Sequence, residues 1–121
     1  MIDRRARQMA AFLGFSGVLC GAFGAHILHH FLEKSGTTQV WQTGVLYHLV
    51  HAAVLLILSG WRPVPRAACH LILGGVIVFS GSLYVLALTN LKWFGAITPL
   101  GGLGMSAGWL LLALAKGKKT D

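Results

Sequence analysis

The sequence predicts an all-α, polytopic membrane protein, an antiparallel bundle of four transmembrane helices with both termini in the cytoplasm. Three observations predict it. Four long apolar stretches fill most of the 121 residues, nearly every Lys and Arg lies between them or at the ends, and no stretch alternates polar with apolar residues as a barrel strand does. The chain reads as one transmembrane domain, with spans at roughly 9–28, 41–60, 67–89 and 93–115. Each is near the roughly 20 residues that cross a hydrocarbon core. Lipid offers no partner to exposed backbone, so spans of this kind are helices. A soluble bundle needs polar stripes at helical spacing, and the run Ala52-Ala53-Val54-Leu55-Leu56-Ile57-Leu58 has none.

The first span follows Arg4, Arg5 and Arg7. Arginines before an apolar run also describe a signal peptide, and Ala22-Phe23-Gly24 has cleavage-like spacing. An uncleaved helix is the expectation, because the three later spans continue an even alternation of charge with it. Leu19 stands where a lipoprotein signal before Cys20 requires a small residue. Cys20 and Cys69 both fall within spans, as small apolar packers rather than a disulfide pair. Gly14, Gly17, Gly21 and Gly24 share one helix face. In the loop from His29 to Val40, His30 to Lys34 reads as an interfacial turn broken by Ser35-Gly36-Thr37-Thr38.

Trp41 opens the second span at the outer boundary, and Tyr47, His48 and His51 share a face along it. His51 then lies near the midplane and His48 about one turn farther out. A short turn with Pro63 and Pro65 leads to the third span, where Ser80 and Tyr84 share a face. Asn90-Leu91-Lys92 barely separates it from the fourth, so spans two, three and four pack as antiparallel neighbours. Thr98 precedes Pro99, which is expected to kink or break the first turns of the fourth helix by removing a backbone donor. The carbonyl this frees would be bound by a neighbour or line a small outward-facing cavity. Gly101, Gly104 and Gly108 form a second stripe of small residues. Trp41, Trp61 and Trp93 fall at the expected interfaces, as an aromatic belt.

A net charge of +7 on a soluble chain would suggest nucleic acid; here it reads as topology, and no nucleic-acid partner is expected. Arg4, Arg5, Arg7, Arg62, Arg66, Lys116, Lys118 and Lys119 lie on one side, against Lys34 and Lys92 on the other. The positive-inside rule puts the first group in the cytoplasm, where it can also touch anionic headgroups.

Chemistry within the spans rests on His26, Tyr47, His48, His51, Ser80, Tyr84 and Thr98, most of them in the outer half. An ionisable residue in a span is costly unless neutral or paired. One reading is structural, with Tyr84, Ser80 or Thr98 satisfying neutral His48 and His51. A second is a path for protons or a polar substrate. A third is metal or haem ligation by His26, His29, His30, His48 or His51, although carboxylate and thiolate partners are missing nearby, and no metal or cofactor is expected. Catalysis is not expected either. The only acids, Asp3, Glu33 and Asp121, lie outside the spans, and Ser80 or Ser82 with a histidine lacks an orienting acid. Gly101-Gly102-Leu103-Gly104 lacks the strand and lysine of a phosphate loop. The glycine stripes allow close helix packing, either within the chain or against another membrane protein.

Several longer motifs are distinctive: Gly21-Ala22-Phe23-Gly24-Ala25-His26, Trp41-Gln42-Thr43-Gly44-Val45-Leu46-Tyr47-His48-Leu49-Val50-His51-Ala52, Phe79-Ser80-Gly81-Ser82-Leu83-Tyr84 and Gly95-Ala96-Ile97-Thr98-Pro99-Leu100-Gly101-Gly102. Together with Gly108-Trp109 they resemble the small four-helix membrane proteins catalogued as domain of unknown function 423, akin to the eukaryotic transmembrane protein 256. The resemblance covers nearly the whole chain. It departs in the loop from His29 to Val40 and at Ile27, which replaces a glycine, so the first helix is expected to run on by a turn. It implies a multipass protein, in bacteria of the inner membrane, and no particular activity. The expected role is structural or accessory, in the lipid bilayer as a homo-oligomer or part of a larger membrane complex held through glycine faces. The alternative is a small transporter, channel or ligand-binding bundle using the polar residues, which are expected to form one hydrogen-bonded cluster.

Overall fold

The computed structural model describes residues 3–115; Lys116, Lys118, Lys119 and Asp121 lie outside the described residues. Five helices follow in order: α1 (Arg4–Ala25), α2 (His29–Ser35), α3 (Thr38–Leu58), α4 (Arg66–Thr89) and α5 (Phe94–Leu114). No strand occurs among the described residues. α1, α3, α4 and α5 are long and apolar enough to cross a membrane, and at about 1.5 Å per residue each spans the roughly 30 Å of a hydrocarbon core. Their outward faces carry large apolar side chains, with Phe12, Phe15, Leu100 and Leu103 among the most exposed. Water would penalise such a surface, and lipid does not.

The helix ends depart from the sequence reading. α1 does not run on; it stops at Ala25, and residues 26–28 turn directly into α2. This short helix replaces the interfacial turn and buries Leu32 almost completely. It ends at Gly36, whose φ of 71° is the left-handed conformation that an L side chain resists. α4 ends on Asn90 in the same conformation, at φ 58°. α5 runs unbroken through Pro99, and the Thr98 hydroxyl donates to the Phe94 carbonyl at 3.1 Å. Trp61 and Trp93 are exposed, but Trp41 is buried: its indole N–H donates to the Cys20 carbonyl at 2.8 Å, so it ties α3 to α1 rather than serving an aromatic belt.

Close approach of the backbones joins α1 to α3, α3 to α4, and α4 to α5. Both predicted glycine stripes are used at these seams, within the chain. A Cβ built on Gly17 would come within 2.7 Å of Leu49, and one on Gly24 would collide with the Trp41 ring. On the α4–α5 seam, a Cβ on Gly101 would meet the Gly75 carbonyl at 2.6 Å and one on Gly108 the Ile72 side chain at 2.5 Å. Gly75 is a further contact glycine, on α4, where a Cβ would meet the Met105 amide at 2.5 Å.

Two apolar clusters lie toward opposite ends. Ala10, Leu55, Leu58 and Ile72 form one; Leu32, Trp41 and Ala87 form the other. Asp3 clasps the first end: one carboxylate oxygen accepts from the Ala6 amide at 3.0 Å and caps α1, and the other accepts from Arg66 Nη2 at 2.6 Å, at the start of α4. The Ala6 amide, with Arg66 beside it, holds the Asp3 carboxyl below the usual carboxylate range.

Glycine substitutions separate the seams from the free faces. Gly75→Ala and Gly101→Ala should each cost about 1–3 kcal/mol, because the added carbon meets backbone that cannot move aside. Gly74 and Gly81 have open space beside them, so Gly74→Ala and Gly81→Ala should be neutral or stabilising by up to about 1 kcal/mol. Reversible unfolding in mixed micelles measures both pairs, and equal losses would remove the assignment of the seams.

Candidate functional site

Between the two apolar clusters, polar side chains meet at the seams. His48 is the middle residue of α3 and His51 lies one turn toward the basic end. Both are buried. They point inward because the face of α3 bearing Gly44, His48, His51 and Leu55 turns away from lipid.

Each histidine has a partner at both ring nitrogens. His48 Nδ1 lies 2.8 Å from the Tyr84 hydroxyl on α4, and Nε2 lies 3.0 Å from the Ser16 hydroxyl on α1. The Ser16 proton goes to the Leu13 carbonyl at 2.9 Å, so Ser16 accepts from His48. The chain therefore has one direction, from the Tyr84 O–H to Nδ1, from Nε2–H to Ser16, and from Ser16 to Leu13. At His51, Nδ1 lies 2.8 Å from the Tyr47 carbonyl, which can only accept, and the Trp109 indole N–H on α5 donates to Nε2 at 3.0 Å. These partners suit two neutral imidazoles of opposite tautomer, with the proton on Nε2 in His48 and on Nδ1 in His51.

The expected single cluster is therefore several separate contacts. Ser80 does not reach a histidine; it donates to the Gly44 carbonyl at 2.7 Å and ties α4 to α3. Thr98 pairs with Ser82 at 2.6 Å and ties α5 to α4. Tyr47 contributes its carbonyl, while its ring lies parallel to the His51 ring at 6.0 Å and against Phe79 at 4.5 Å. His26 is exposed in the turn after α1 and stands apart, since α1 ends before it reaches the seam. Ser16, Ser82 and Trp109 complete the pairs, and sequence reasoning gave none of them a site role. The available signal was that Ser16 is a small polar residue inside an apolar span, the kind of residue that packs at helix–helix contacts in lipid.

A cleft of about 460 Å³ opens beside His51, walled by Tyr47, Phe79, Pro99, Leu103 and Trp109. Pro99 thus lines a cleft without breaking its helix. Among the described residues no three His, Cys, Asp or Glu side chains converge as metal ligands would. Cys20 and Cys69 are free thiols.

A family model described as a protein of unknown function, DUF423, matches residues 20–102. That segment holds His48, His51, Ser80, Ser82, Tyr84 and Thr98, but neither Ser16 nor Trp109. The chain is 42% identical over 102 residues to the UPF0382 membrane protein YwdK of Bacillus subtilis, covering 78% of this chain and 81% of that protein. It is 43% identical over 110 residues to the UPF0382 membrane protein SH2409 of Staphylococcus haemolyticus, covering 82% and 89% respectively. Against the UPF0382 inner membrane protein YgdD of Escherichia coli K12 the identity is 37% over 125 aligned positions, covering 93% and 88%. No solved structure matches the chain.

Nitrogen-15 NMR of the imidazoles should find His48 protonated on Nε2 and His51 on Nδ1. A proton on His51 Nε2 would point at the Trp109 N–H, and observing it would falsify the pairing. A double-mutant cycle of His51→Phe and Trp109→Phe should return a coupling of about 0.6 kcal/mol, the usual size for such bonds in lipid.

Proposed function

We propose that this chain, which belongs to the DUF423 family of membrane proteins, acts as a structural or accessory component of the bacterial inner membrane. One observation carries the reading: all four ring nitrogens of His48 and His51 are engaged by groups of the same chain. Polar groups spent on one another lock helices together, and a binding or transport role would require at least one to be released. The Escherichia coli relative, named an inner membrane protein, supports the location.

The four long helices form an antiparallel transmembrane bundle with both termini in the cytoplasm. Arg4, Arg5 and Arg7 at the start of α1, Arg62 before α4 and Arg66 at its start support that orientation, against Lys34 and Lys92 at the opposite end. With the glycine stripes of α1 and α5 turned toward neighbouring helices of the chain, contact with other proteins falls to the outward faces. On α1 this is the stripe of Phe12, Phe15, Leu19 and Phe23, all exposed. The alternative, a small transporter, channel or ligand-binding bundle, draws its support from the aromatic cleft beside His51. It requires Trp109 to swing away, and Trp109→Phe should then change flux or binding while leaving assembly intact.

Gentle extraction of a C-terminally tagged chain should give a particle well above 13.0 kDa with the same additional polypeptides each time. A lone monomer would overturn the accessory reading. Fluorescent-protein and alkaline-phosphatase fusions at the C-terminus test orientation: the first should be active and the second inactive, and the reverse pattern would invert the topology.

A further inference from the structure

We infer that a cavity between the starts of α1 and α4 is a binding site for an anionic phospholipid. α1 and α4 make no close backbone approach among the described residues. What joins them at this end is the Asp3–Arg66 ion pair and, deeper, the apolar cluster that Ala10 and Ile72 share, and beside these a cavity of about 260 Å³ remains open. Its lining changes character with depth. Arg5 and Arg66 lie at the first turns of α1 and α4, with His70 one turn further along α4. Met9 and Leu73 lie about 6 and 10 Å deeper along the same helices, and Leu55 of α3 closes the floor. Polar donors at the mouth and hydrocarbon below match a phospholipid, whose phosphate sits at the interface above its acyl chains.

Charge selects the class of lipid. Basic pockets between transmembrane helices bind acidic headgroups. Asp3 offsets part of the charge, but Arg66 stays 68% exposed while paired, so its other donors face outward. The cavity is small beside the roughly 300–1,000 Å³ of a pocket that encloses a ligand. It therefore holds the headgroup and nearby chain carbons, with the remaining hydrocarbon left in the bilayer. The occupant is a lipid rather than free phosphate, because a free anion has no use for the apolar floor.

The test uses the full chain purified in dodecylmaltoside and titrated with phosphatidylglycerol, phosphatidylcholine or inorganic phosphate, with bound lipid read by native mass spectrometry and the unfolding midpoint followed in parallel. Phosphatidylglycerol should bind and raise the midpoint above either control. Arg5→Gln alters an exposed side chain, and affinity should fall by about fivefold with the charge it removes. Arg62→Gln, at the same end but off the cavity lining, should leave affinity unchanged. Equal responses to the two lipids, an equal effect of phosphate, or an equal loss with Arg62→Gln would overturn the site.

Discussion

The hydrocarbon core of a bilayer accepts no hydrogen bonds, and the arrangement of this chain follows from what that demands of two histidines near the middle of α3. A buried imidazole must find one donor and one acceptor inside the protein. α3 cannot supply them alone: only the Tyr47 carbonyl comes from its own backbone. Ser16 comes from α1, Tyr84 from α4 and Trp109 from α5. Each of the other long helices thus provides one side chain to the histidines of α3. Register follows, because a slide of one residue along any seam would leave a nitrogen or a hydroxyl unpaired in a medium that cannot replace the partner.

The glycines and the histidines are parts of one device. Ser16 reaches His48 only because Gly17 beside it lets α1 press against Leu49 and the imidazole. Gly44 does the same on α3, where an added carbon would meet the Tyr84 ring at 2.9 Å. Small residues supply proximity, and hydrogen bonds then select one register from the many that smooth surfaces allow. Smooth apolar helices in lipid gain little from any single alignment. The bonds are individually modest, so this specificity comes from meeting several at once rather than from the strength of one.

The span count was legible because composition alone determines which segments tolerate hydrocarbon, and the direction of the histidines was legible from the spacing of residues along α3. Partner choice was not. Trp109 sits 58 positions from His51, and nothing in the local pattern distinguishes an indole that faces a seam from one that faces lipid. Trp41 failed the other way: its place near a span end suggests an interface, yet its N–H is spent on the Cys20 carbonyl beneath α2. The missing α1 extension has a similar cause. Loss of the glycine after His26 removes one helix-stop signal, but α2 packs Leu32 into the core and forces the turn regardless. Tertiary burial outweighs a local preference worth about 1 kcal/mol.

The same logic locates where the chain is left incomplete. The small-residue stripe of α1 begins at Gly14, so the turns below it, from Arg5 to Ala10, have no glycine to draw a neighbour close. At that end α1 is held by side chains: Asp3 to Arg66, and Ala10 against Leu55, Leu58 and Ile72. An ion pair joins two points without filling the volume between them. Space therefore remains where packing gives way to charge, and it remains on the face that meets headgroups. Toward the opposite end α2 packs Leu32 against Trp41 and Ala87, and the space left there, about 550 Å³ between α1, α2 and α3, is lined by Gly21, Gly24, Leu32 and Trp41 rather than by arginines. The two ends thus differ in what lines their open space, arginines and His70 at one and a short helix with part of a glycine stripe at the other.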